Sequence, residues 1–154
     1  METQSLQDKY AAKSICYGCG PANEHGFQIK SFVDGEQVIA HYHPKPYHHA
    51  FPNVLNGGAI GTVLDCHCNW ASCWYLMQAQ KLEHPPCTVT AEYRIKLRRP
   101  APVDCDYTLV AELISIEGNK ATIHGELKAN EKIYATCDGV FVAIPPEHPA
   151  YHRW

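Results

Sequence analysis

From residue 57 to about 81 the apolar positions recur at helical spacing, and on either side they alternate with polar ones. Ile60, Leu64, Cys68 and Ala71 mark one helix face, and Val63, Trp70, Trp74 and Met77 spread the apolar surface nearly all the way round. Such a helix must be covered on most sides, and at 1.5 Å per residue it would run roughly 36 Å. Pro85 and Pro86 stop it from continuing. Before it, residues 27–33 and 37–43 alternate about a tight turn at Asp34-Gly35. After it come further strand-like segments at 87–97, 106–116, 120–129 and 132–144. Turns at Glu117-Gly118-Asn119 and Asn130-Glu131 join the last of these. Residues 4–13 read as a short helix, 16–26 as an ordered loop, and 44–52 as a Pro/His-rich loop.

The order is two strands, one long buried helix, then four strands. This predicts an α+β fold in which an antiparallel sheet wraps around one long central helix. That arrangement accounts for both the apolarity of the helix and the alternation of the strands. One domain is expected over residues 1–154, with an N-terminal extension over about 1–26.

Composition narrows the class. Hydrophobic residues make up 45% of the chain and charged residues 19%, which is globular rather than disordered. A net charge of −3 disfavours a nucleic-acid partner. No stretch approaches the roughly 20 apolar residues of a membrane span, and METQSLQDKY lacks a signal-peptide core, so a cytoplasmic protein without a membrane partner is expected. The 8 cysteines then read as reduced thiols. Cys16 and Cys19 form a CxxC, by itself half a zinc site. His25 offers a third ligand but no fourth is evident, so a buried turn with small apolar thiols, and no metal, is expected.

The chemistry concentrates on the helix. Between Lys45 and Lys81 the only Asp, Glu, Lys or Arg is Asp65, in the middle of the most buried element. Removing a lone carboxylate from water costs several kcal/mol unless it is paired or hydrogen-bonded. Asp65 is therefore a satisfied core group bonded to Thr62, His67 or Asn69, an Asp facing water at an interface, or a base or nucleophile kept at an expensive position. Asn56-Gly57-Gly58 stands at the helix start, with Asn56 suited to capping and glycines that let a substrate approach the main chain. The first amides of a helix lack internal partners and form an oxyanion hole in outline. Gly57 and Asp65 lie eight residues apart, roughly 12 Å along the axis. One carbonyl cannot meet both on the same helix. If both act on one substrate, the carboxylate comes from a second subunit whose helix runs antiparallel, which predicts a two-fold dimer with composite sites.

The stretch from His49 through Asn56-Gly57-Gly58 to Asp65 resembles the signature of hotdog-fold thioesterases of the phenylacetate-pathway type. Cys16-Tyr-Gly-Cys-Gly-Pro-Ala-Asn, Gly26-Phe-Gln-Ile-Lys and the strand Thr88-Val-Thr-Ala-Glu-Tyr-Arg-Ile-Lys-Leu-Arg-Arg-Pro100 also resemble that family, over roughly residues 16–142. The resemblance implies a hotdog fold and acyl-CoA thioester hydrolysis without a cofactor. Gly57 matches the glycine whose N–H polarises the thioester carbonyl, and Asp65 the acid. Thr90 matches a hydroxyl residue that helps hold the attacking water. Asn56 departs from the pattern, where His is usual; Asn hydrogen-bonds but does not titrate near neutral pH. If that position shuttles protons, the role falls to His49 or His67. His67 lies roughly 200° round the helix from Asp65, so His49 is better placed.

Thr90 shares a face with Glu92, Arg94, Lys96 and Arg98 on strict alternation, as an exposed residue would. Arg98 and Arg99, with Gly58 and His49, are the expected substrate-binding residues, the guanidinium groups suiting CoA phosphates. Trp70, Trp74, Tyr75 and Phe51 line either an acyl pocket or the core. A homodimer, or a dimer of dimers, acting on acyl-CoA is expected. Three other readings stand beside it: a hotdog hydratase or dehydratase, a non-catalytic acyl-CoA-binding hotdog protein, and a small metal-binding protein built on the CxxC.

Overall fold

The long apolar stretch folds as a single 23-residue helix, α2 (Gly57–Ala79), in a computed structural model that describes residues 1–152. A short helix, α1 (Leu6–Tyr10), precedes it, followed by strands β1 (Ser31–Asp34) and β2 (Gln37–Tyr42), a 3-10 turn at Pro46–His48, β3 (His49–Phe51) and β4 (Val54–Leu55). After the helix come β5 (Thr88–Leu97), β6 (Tyr107–Glu117), β7 (Lys120–Ala129) and β8 (Lys132–Ala143). Six strands form one antiparallel sheet in the order β1-β2-β6-β7-β8-β5. The sheet curls around α2, which packs on β5, β6, β7 and β8. Val63, Leu64, Cys68 and Leu76 meet Leu109, Ile123, Leu127, Cys137 and Phe141 in the core. This is the expected α+β hotdog arrangement.

Local departures have local causes. The first helix has five residues because Ser5 caps it, accepting from the Asp8 amide, and the Ala11 amide closes its end on the Gln7 carbonyl. The first strand starts at Ser31 rather than at 27. The Phe27 and Ile29 amides bond instead to the Tyr17 and Gly18 carbonyls, which ties this segment to the N-terminal loop. Residues 44–52 are more ordered than a loop: the 3-10 turn leads into the β3–β4 ribbon.

Strict alternation fails once where it matters. In β5, Thr90 pairs with Phe141 and Glu92 with Val140, so Ala91 is an extra residue and the strand changes parity there. Thr88 and Thr90 face the helix before the bulge; Ile95 packs on the core after it. Thr90 therefore does not share the outward face of Glu92, Arg94, Lys96 and Arg98. The alternating pattern overlooked this bulge.

One stripe of α2 is left uncovered by its own sheet. Gly58 is exposed and Thr62, Asp65 and Asn69 are half-buried, at spacings of three and four, while Ala59, Ile60, Val63, Leu64 and Cys68 between them are buried. Among the described residues no helix is long and apolar enough to cross a membrane.

Candidate active site

Asp65 sits on that open stripe. Its Oδ1 accepts a 2.8 Å hydrogen bond from the Thr90 hydroxyl, delivered across the gap by the bulge in β5. A second rung lies four residues further along the helix, where Thr88 Oγ1 donates to Asn69 Oδ1 at 2.5 Å. The two bonds pin the open side of the helix to the edge strand. None of the local partners considered for a core carboxylate serves Asp65. Thr62 donates to the Gly58 carbonyl, His67 bonds Ser31 and Val38, and Asn69 accepts from Thr88. Burial pushes the Asp65 carboxyl above the usual carboxylate range; the Thr90 bond pulls the other way, and negative charge on Cys16 adds to the rise.

The helix start is capped by Asn56 and leaves its first two amides unbonded within the described residues. Asn56 Oδ1 accepts from the Ala59 amide at 3.1 Å, and the Asn56 carbonyl accepts from Ile60. The Asn56 amide itself donates to the His48 carbonyl. The Gly57 and Gly58 amides have no acceptor among the described residues. A Cβ at Gly58 would lie 2.9 Å from the capping oxygen of Asn56, so glycine there keeps the cap intact. At Gly57 a Cβ would meet only the Leu97 side-chain tip, at 3.0 Å. Leu97 thus brings the end of β5 against the helix start, and Arg98 and Arg99 follow directly. Both arginines are exposed; Arg99 Nε donates to the Ile133 carbonyl and its guanidinium lies 5.9 Å over the Tyr134 ring.

His49 lies exposed on β3. The imidazole that orders this region is its neighbour, which the sequence reading passed over. His48 packs 4.5 Å from the Phe27 ring, bonds Tyr42 Oη at 2.8 Å, and holds the helix start through its carbonyl. Nothing in its residue type distinguishes it among 10 histidines. The four aromatic residues named for an acyl pocket do not assemble into one. Trp70 is buried against Cys19, Phe51 is exposed, and Trp74 and Tyr75 line a cavity of about 750 Å³ beside the β1–β2 turn, at the far end of α2 from Gly57.

The thiols also differ from expectation. The sulfurs of Cys16, Cys19 and Cys66 all lie within 4.8 Å of one another, so the partner of the CxxC is Cys66 of the helix and not His25. Cys16 is exposed rather than a buried apolar thiol. Hydrogen bonds from Cys19 and Cys66 pull its pKa well below the ordinary thiol value.

The chain shares 32% identity with a thioesterase superfamily protein of Shewanella loihica, over 81% of this chain and 98% of that one, with a TM-score of 0.64. It is 24% identical over 151 residues to acyl-coenzyme A thioesterase THEM4 of Bos taurus; the match takes in 96% of this chain but spans only 59% of that protein. The E. coli PaaI protein, from a phenylacetic acid degradation operon, shares the fold at 14% identity and a TM-score of 0.66, over 77% of this chain and 81% of that one. No family model matches the chain.

Proposed function

Because the chain belongs to the thioesterase superfamily and has its hotdog fold, we propose that it hydrolyses acyl-CoA thioesters at two composite sites of a homodimer. In each site the Gly57 and Gly58 amides of one protomer receive the thioester carbonyl, and Asp65 of its partner activates water. The carboxylate takes a proton as a C–O bond forms to the carbonyl carbon. The tetrahedral oxyanion, held by the amides, collapses with cleavage of the C–S bond, and the proton passes to the leaving sulfur. Thr90 holds one carboxylate oxygen, which leaves the other to face the water. Asn56 acts through the helix cap and does not titrate, so the usual imidazole is not needed for the chemistry. Arg98 and Arg99 receive CoA phosphates at the mouth of the site, with His49 flanking the entry.

The observation that carries this reading is the position of Asp65. A half-buried carboxylate, hydrogen-bonded by Thr90, lies on the one helix stripe that the chain's own sheet leaves open. A dimer is supported by the same stripe and by β5, an edge strand that exposes Tyr93 and Leu97. The carbonyl donors and the acid lie roughly 12 Å apart on one helix, too far for a single reaction centre. A panel of straight-chain and aromatic acyl-CoA esters tests the proposal, with CoA release followed by a thiol reagent. Wild type releases CoA, and Asp65→Asn lowers kcat by roughly 100-fold or more. Equal turnover by both proteins would remove Asp65 from the mechanism.

A further inference from the structure

Beside the acid, on the same helix, three sulfurs converge from parts of the chain far apart in sequence. Cys16 and Cys19 come from the N-terminal loop and Cys66 from α2, fifty positions after Cys16. Cys16 Sγ and Cys66 Sγ are 3.7 Å apart. A tetrahedral zinc ion with Zn–S bonds of about 2.3 Å holds its sulfurs about 3.8 Å apart. That pair already has the spacing of a tetrahedron's edge. Every other pair lies within 4.8 Å and needs to close by about 1 Å at most to match it.

The surroundings are shaped around the sulfurs. A Cβ on Gly18 would stand 2.3 Å from Cys66 Sγ, so glycine is required for the loop to approach the helix thiol. A Cβ on Gly20 would collide with backbone atoms of Ser14 and Cys16, and the Gly20 amide closes the CxxC turn on the Cys16 carbonyl at 2.8 Å. The Trp70 indole N–H donates to Cys19 Sγ at 3.3 Å. An N–H donor aimed at sulfur orients a thiolate ligand and disperses its charge. Asn69 and Trp70 join the three cysteines in lining a cavity of about 520 Å³. That cavity provides room for a solvent molecule as fourth ligand.

We infer that Cys16, Cys19 and Cys66 form a binding site for one zinc ion per chain, with its fourth position open to the adjoining cavity. The ion ties the N-terminal loop to the central helix one residue from Asp65, and its binding displaces the remaining thiol protons to solvent. The reading is independent of the proposed hydrolysis and survives its failure.

The test uses the full chain, stripped of metal by a chelator and kept reduced. Cobalt(II) is the spectroscopic probe, and zinc is then titrated against a chromophoric chelator. The expected result is one cobalt per chain with thiolate charge-transfer and tetrahedral ligand-field bands, displaced by one equivalent of zinc. Cys16→Ser and Cys66→Ser each weaken zinc binding by roughly 100-fold or more, whereas Cys105→Ser, outside the cluster, binds as wild type does. Zinc raises the melting temperature of wild type and not that of Cys16→Ser, whose site at the exposed edge of the cluster leaves the core untouched. Either a cobalt complex without thiolate bands or an affinity unchanged in both Ser variants would overturn the assignment.

Discussion

The Thr90 hydroxyl donates to the Asp65 carboxylate at 2.8 Å, joining the edge strand to the central helix at the place where the sheet leaves the helix open. A hydrogen bond to a charged group is worth about 1.5–3 kcal/mol. Lost in the transition state, that is roughly 10- to 100-fold in rate. Thr90→Val, which keeps the shape and removes the donor, is expected to lower kcat by that factor on any acyl-CoA ester that is turned over. Thr90→Ser restores the donor and most of the rate. Steady-state kinetics of the two variants make the comparison, and equal rates in both would assign Thr90 to packing alone.

Asn56 is the helix cap, and its effect should appear in stability before it appears in chemistry. Removing the side-chain bond to the Ala59 amide costs about 1 kcal/mol in Asn56→Ala. Asn56→Asp retains an acceptor and adds a negative charge at the positive end of the helix, so it unfolds at or above the wild-type urea midpoint. Urea titrations followed by circular dichroism check both. Equal midpoints for wild type and Asn56→Ala would show that the cap contributes nothing.

His67 makes the fold sensitive to acid. It is fully buried, and burial lowers its pKa from 6.5 to about 4, against an opposing bond to the Val38 carbonyl. The neutral ring is bonded on both sides, to Ser31 Oγ at 2.9 Å and to Val38 O at 3.0 Å. The folded value is depressed, so above pH 6.5 neither state binds the proton and the stability is intact. As pH falls from 6.5 to about 4 the unfolded chain takes the proton first, and about 3 kcal/mol is lost over that window. Urea unfolding across the window measures it, and His67→Gln should flatten the dependence.

The long helix, its glycine start and the isolated carboxylate were all legible in the sequence, because a charge alone in an apolar run and an Asn-Gly-Gly before it are local patterns. The face of Thr90 was not. Its direction depends on the extra residue Ala91, and an alanine in an alternating strand carries no sign of a bulge. The start of β1 was misread for a related reason. Phe27 and Ile29 alternate like strand residues, yet the Tyr17 and Gly18 carbonyls claim their amides. The third sulfur was hidden by distance along the chain. Cys66 looks like one more small apolar residue of the helix until the loop folds over it.

The proposed role of Asp65 as a base makes a labelling prediction. A single turnover in heavy-oxygen water should place the label in the released acid and none in the protein. Mass spectrometry of the peptide containing Asp65 reads the result. Label in that carboxylate would mean that it attacks the carbonyl itself through an anhydride.

If each reaction centre is shared between two chains, two inactive variants mixed in one dimer rebuild a working site. Asp65→Asn removes the acid. Gly57→Pro removes the amide donor at the first helical position, where proline's fixed geometry is well tolerated, and Asn56 already has the extended backbone that a following proline requires. Each homodimer should be at least about 100-fold slower than wild type. Unfolded together and refolded as an equal mixture, half of the dimers are mixed and each of those carries one intact site. About a quarter of wild-type activity should therefore return. A mixture no more active than its two components would mean that each chain holds its own complete site.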